Sequence, residues 1–150
     1  MSVRAKFRCI SVTHTWDEVT TFCFRPVFAH NGEGASEENK RFWKATPNGS
    51  LELVFAEPPV PSYRPGSYYY LDLREVETER PWTVYSVERI HEGQTNVCLH
   101  PAWHTHGSPR TGTLRLGLDV VSAYDWFTPG ARWSLELTLV PEAPQVPPGP

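Results

Sequence analysis

The sequence predicts an all-β fold, eight strands in one β-sandwich or flattened barrel with one short helix in an inserted loop, and three observations carry that expectation. The chain holds two copies of one pattern. Its candidate strands alternate apolar and polar residues with a period of two. Proline is abundant, 15 in 150 residues, which disfavours long helices and suits turns and edge strands.

The duplication shows in two blocks. The segment from Phe7 to Ala29 superposes without a gap on Trp82 to His104, at a constant offset of 75. Ser11, Val12, Thr20, Cys23 and Pro26 meet Ser86, Val87, Thr95, Cys98 and Pro101, and Phe28 is answered by Trp103. In the second block Gly49, Leu51, Leu53 and Phe55 align with Gly112, Leu114, Leu116 and Leu118. One residue further out of step, Pro65, Gly66, Tyr69, Leu71 and Leu73 align with Pro129, Gly130, Trp133, Leu135 and Leu137. The repeats are therefore residues 5–75 and 80–139. Two chains of that size would each struggle to bury enough surface alone. A four-stranded sheet with one apolar face must cover it, and its own duplicate is the nearest complementary surface. One domain over 1–139 follows, with a separate tail at 140–150.

Within the first repeat, residues 5–13 and 19–28 alternate as half-buried strands do, with Phe22, Phe24 and Phe28 on one face and Thr21, Cys23 and Arg25 on the other. A turn, HTWDE, joins them. Next comes an insertion from about His30 to Ala45, whose Ser36 can cap a short helix over residues 36–43, with Glu37 and Glu38 favourable in its first turn. Strands then follow around Gly49–Phe55 and Ser67–Leu73. On the last of these Tyr69 and Leu71 share the face taken by Trp133 and Leu135 in the copy, so Tyr68 and Tyr70 point the other way. The copy has Arg132 and Ser134 in those outward places and only the short loop HTHGSP where the insertion lies. The half with the insertion is thus the half with outward aromatics. The insertion, through Phe42 and Trp43, either folds over Tyr68 and Tyr70 as a lid or shares with them a surface kept for a partner. The tail, VPEAPQVPPGP from Val140 and Pro141 onward, favours an extended polyproline-like path, either disordered or docked on a neighbouring subunit.

Composition excludes several classes. Net charge is −3 and no Lys/Arg run exceeds two residues, so the basic stripe that binds duplex DNA is missing. No segment approaches 18 uninterrupted apolar residues, and no apolar run follows the first basic residues, so neither a membrane span nor a signal peptide is expected. An odd count of three cysteines without CxxC spacing argues for reduced thiols.

Chemistry-bearing motifs are sparse. Cys98, His100, His104 and His106 in CLHPAWHTH are residue types that bind zinc, and His104 and His106 lie on one side of an extended segment, but the spacing matches no metal motif. A strand end explains the run, and no metal or other cofactor is expected. GxSxG, HExxH, Walker-type and GxGxxG patterns are absent and the carboxylates sit singly, so no enzyme is expected. Lys40-Arg41-Phe42-Trp43-Lys44 mixes basic and aromatic side chains as single-strand binders do. It is five residues long beside two glutamates, and a helix packing its aromatics inward accounts for it better.

The residues ENKRFWKATPNGSLEL followed by YRPGSYYYLDL resemble a pattern of small proteins of tailed bacteriophages, in which an ENK…FWK.TP.GSL segment leads to a PG..YY..D strand. The resemblance covers about residues 5–75 and brings no catalytic residues with it. It implies a phage-encoded accessory or virion protein. The expected function is therefore a non-enzymatic virion-associated structural protein, a capsid decoration or cement or another head or tail accessory. It would sit in the virion or the host cytoplasm and contact phage structural proteins or further copies of itself through Phe42, Trp43, Tyr68, Tyr70, Val140 and Pro141. The alternative is a soluble binding module made in the infected cell, for carbohydrate or as an inhibitor of a host protein.

Overall fold

The computed structural model describes residues 2–27, 39, 48–56, 60–76, 82–90, 94–101, 111–118 and 127–141. Eight strands account for most of them: β1 (Ser2–His14), β2 (Thr20–Pro26), β3 (Asn48–Phe55), β4 (Tyr68–Glu75), β5 (Trp82–Ile90), β6 (Gln94–Pro101), β7 (Thr111–Leu118) and β8 (Arg132–Leu139). They close in the order β1-β2-β3-β7-β6-β5-β8-β4, every neighbour antiparallel. Of the two architectures the sequence left open, the barrel is the one formed. Closure pairs the edge strands that an open sandwich would leave exposed. The helix expected over 36–43 lies outside the described residues, apart from Asn39. Among the described residues no helix is long and apolar enough to cross a membrane.

The ring is the duplication made visible. Each repeat contributes one four-stranded run, β4-β1-β2-β3 and β8-β5-β6-β7, and the runs join where duplicates meet, at β3·β7 and β4·β8. At the first seam Leu51 stands opposite its own counterpart Leu114, with Gly49 against Leu116 and Leu53 against Gly112 on either side. At the second, Asp72 stands opposite its counterpart Glu136. A twofold axis relating the repeats therefore passes through both seams, the arrangement of an isologous dimer interface enclosed within one chain.

Local irregularities repeat as well. Register shifts fall between Cys9 and Ser11 in β1 and between Val84 and Ser86 in β5, which puts a β-bulge at the same place in each copy. The bulged residues, Ile10 and Tyr85, are turned outward, 44% and 73% exposed. Each bulge is clasped by the turn that leads into the fourth strand of its repeat. Gly66 N donates to Cys9 O at 2.8 Å and Cys9 N to Ser67 O at 3.0 Å; Gly130 N donates to Val84 O and Val84 N to Ala131 O, both at 2.9 Å. The turns are Arg64-Pro65-Gly66-Ser67 and Thr128-Pro129-Gly130-Ala131, closed by Ser67 N on Arg64 O and Ala131 N on Thr128 O. Proline pre-sets the second position, and glycine takes the positive φ that the third requires, +88° at Gly66 and +85° at Gly130.

Inward positions fill the barrel with side chains. All eight strands supply the core, among them Phe7, Phe24, Leu53, Leu71, Val84, Leu99, Leu116 and Trp133. Fully burying one such side chain contributes about 1.5–3 kcal/mol. In the first repeat Tyr63 meets Phe22, Phe24 and Tyr69 edge-on, with centroids 5.0–5.3 Å apart; in the second, its counterpart Phe127 lies against Trp133 at 4.8 Å. Among the described residues the interior is thus a packed core.

Candidate functional site

On β1 the alternation that sends Val3, Ala5 and Phe7 inward sends Arg4, Lys6 and Arg8 outward. On the neighbouring β4 it does the same for Tyr68, Tyr70 and Asp72. The register sets Arg4 against Asp72, Lys6 against Tyr70 and Arg8 against Tyr68, so cations and rings interleave on one face. The Arg4 guanidinium sits 4.4 Å from the Tyr70 ring centroid, and Lys6 Nζ and the Arg8 guanidinium sit 5.3 and 5.6 Å from that of Tyr68, within cation–π range. Arg4 also forks onto Asp72, Nε to Oδ1 at 2.7 Å and Nη2 to Oδ2 at 3.0 Å. That pair lies where Asp72 faces Glu136 across the twofold, and it offsets the repulsion of two opposed carboxylates. The two tyrosines do not stand alone on this face. They are rings held under charge.

Asn39 of the inserted segment and the start of the tail both bond to the backbone of these strands. Asn39, buried, accepts from Lys6 N at 2.7 Å and donates to Lys6 O at 2.9 Å and Val27 O at 3.0 Å. Two of these three bonds tie Asn39 to Lys6, the residue opposite Tyr70, and the third ties it to Val27, just past the end of β2. At the other end of the chain, Val140 N donates to Tyr68 O at 2.9 Å, so the tail starts as an extension of β8 along β4. Lys6, Arg64, Tyr68, Leu139, Val140 and Pro141 line one groove there. Of the contact residues expected from sequence, Tyr68, Val140 and Pro141 come together, Tyr70 lies two residues along the same strand, and Phe42 and Trp43 lie outside the described residues.

Across the barrel, β5, β6 and β7 present a second constellation. Cys98 Sγ is 3.6 Å from His100 Nε2, while His100 Nδ1 is 3.1 Å from Gly112 O. The ring of Tyr85, the exposed bulge residue, packs edge-on against His100 with centroids 5.0 Å apart. The carbonyl is available for a reason. Continuing the β6·β7 register places Pro101 opposite Gly112, and proline has no N–H to give it. Cys98 and His100 thus form a contact, whereas His104 and His106 lie outside the described residues. Among the described residues no group of three or more His, Cys, Asp or Glu side chains is placed to hold a metal. The sequence explains this run as a strand end with no metal expected; Cys and His two apart on one strand face is the available sign of a pair.

All three cysteines are free, Cys9 buried and Cys23 and Cys98 half-buried. Burial, with a smaller contribution from Cys23, pushes the Cys9 thiol above its usual range, and burial followed by the neighbouring Tyr69 does the same to the Tyr63 phenol. Both groups stay neutral parts of the core. No protein-family profile matches the chain, and no match was found among curated proteins or solved structures.

Proposed function

We propose that this chain is a non-enzymatic, virion-associated structural protein of a bacteriophage, a decoration, cement or head–tail accessory subunit that docks through the outer face of β1 and β4 and its C-terminal tail. One observation carries the reading. The backbone bond from Val140 to Tyr68 of the same chain makes the start of the tail one wall of a groove that Lys6 and Tyr68 also line. Addition of an extended segment along a strand, with flanking side chains setting specificity, is a recurrent mode of subunit assembly. The packed interior supports the same reading, because it leaves recognition to the surface. A carbohydrate-binding module is less well supported: stacking on sugars needs open ring faces, and here Arg4 covers Tyr70 while Lys6 and Arg8 cover Tyr68.

Mass spectrometry of purified particles tests the proposal. The protein is expected at a stoichiometry comparable to that of other particle subunits, and its absence overturns the reading. In particles assembled with a chain ending at Leu139 and carrying Tyr68→Ala, incorporation is expected to fall about tenfold or more, as loss of a central anchor costs an interface roughly 2 kcal/mol or more. Unchanged incorporation would remove this face from the account.

A further inference from the structure

The two repeats share a cysteine at one equivalent position and surround it with different chemistry. In the first, Cys23 has Arg25 two residues along its strand and Glu52 directly opposite in β3. In the second, its counterpart Cys98 has His100 in the place of Arg25 and Arg115 in the place of Glu52, directly opposite in β7. One copy thus sets a thiol facing a carboxylate. The other sets a thiol beside an imidazole and facing a guanidinium.

The geometry of the second copy is directional. A carbonyl oxygen only accepts, so the hydrogen bond between His100 Nδ1 and Gly112 O at 3.1 Å puts the ring proton on Nδ1. The Nε2 lone pair is left facing Cys98 Sγ at 3.6 Å. A nucleophile, a base in reach and a third group that orients the base are the parts of an activated cysteine. Directly opposed residues stand roughly 5 Å apart at Cβ, which brings the exposed Arg115 side chain within reach of charge developing beside Cys98. Cys98, His100 and Arg115 line one open groove with Ser50 and Ser86, so the thiol is approachable from solvent.

We propose that Cys98 is an acyl-accepting nucleophile, with His100 as its base and activated acyl groups, esters or thioesters, as the donors. Nε2 takes the Sγ proton as sulfur attacks the donor's carbonyl carbon, and Arg115 stabilises the negative oxygen of the tetrahedral intermediate. As that intermediate collapses, the bond from carbon to the leaving oxygen or sulfur breaks and the leaving group departs with the proton from His100. The product is a thioester at Cys98, so the reaction is a single acceptance and needs no oxidant or reductant. The site lies across the barrel from the β1/β4 face and is independent of the assembly role.

The test uses the full chain with 4-nitrophenyl acetate and peptide mapping of the acetylated cysteines. Cys98 is expected to acylate about tenfold or more faster than Cys23, a conservative figure for a positioned base, with one equivalent of 4-nitrophenolate released. His100→Gln is expected to bring Cys98 down to the Cys23 rate, and Cys98→Ser to abolish the fast release. Equal rates at Cys23 and Cys98 in the unaltered chain would overturn the proposal, as would a folded His100→Gln variant that keeps the fast rate. The comparison within the unaltered chain stands even where a variant fails to fold.

Discussion

Replacing Trp133 with alanine is expected to destabilise the fold by about 3–5 kcal/mol, the range for removing a buried Trp or Phe ring. The ring is 0% exposed and lies on Phe127 at 4.8 Å. Its residue is paired with Glu75 of β4 on one side and with Trp82 of β5 on the other, so the void would open where three strands meet. Domains are typically stable by only about 5–15 kcal/mol, and a large part of that margin would go. Trp133→Phe separates volume from polarity. The indole Nε1 has no hydrogen-bond partner among the described residues, so phenylalanine gives up no hydrogen bond there, and the cost should stay under about 1.5 kcal/mol. Trp16, at the tip of the β1–β2 hairpin and 96% exposed, is the control, with Trp16→Ala within about 0.5 kcal/mol of the parent. Urea unfolding followed by circular dichroism reads all three. A Trp133→Ala cost below about 1 kcal/mol would mean that the ring is not part of the packed interior.

Gly49→Ala and Gly112→Ala are expected to destabilise by similar amounts, about 1–3 kcal/mol each. A Cβ at Gly49 would lie 2.6 Å from Arg115 O, and one at Gly112 would lie 2.9 Å from Glu52 O and 2.8 Å from the Trp82 ring. Glu52 and Arg115 are counterparts in the two repeats, so one contact is made twice across the twofold. The obstruction at each is a backbone carbonyl, which cannot swing aside as a flexible side chain can. Sterics decides the sign, because at an unobstructed position glycine to alanine stabilises by about 0.4–1 kcal/mol through the unfolded chain. Gly130→Ala gives the contrast: nothing lies within 4 Å of its Cβ and only the φ of +85° opposes the change, so roughly 1 kcal/mol is expected there. Denaturation midpoints of the three variants test this, and tolerance of alanine at either Gly49 or Gly112 would contradict the close approach at the seam.

What could be read from sequence was whatever short-range rules govern. The Pro-Gly pairs at 65–66 and 129–130 announce turns because proline and glycine each favour one backbone conformation, and both turns form as those residues demand. Period-two alternation placed Tyr69, Leu71 and Trp133 inward and Tyr68 and Tyr70 outward, as found. The first two strands, read as 5–13 and 19–28, run Ser2–His14 and Thr20–Pro26. Closure was not legible, because barrel and sandwich differ only in whether β3 meets β7 and β4 meets β8, and no local pattern encodes pairings between strands some 60 residues apart. The site fared likewise. The cations over Tyr68 and Tyr70 come from β1, at the far end of the same repeat, and the orientation of His100 depends on a carbonyl of the next strand. The two matched glycines could be aligned from sequence, but their reason lies in a backbone oxygen across the seam.

That the repeats close one barrel around a shared axis is tested most directly by cross-strand nuclear Overhauser effects in the intact, isotope-labelled chain. Backbone contacts are expected between Leu51 and Leu114 and between Asp72 and Glu136, each residue meeting its own duplicate. Contacts joining β3 to β4 within one repeat, with none between duplicates, would show each half closing on itself and would contradict the account.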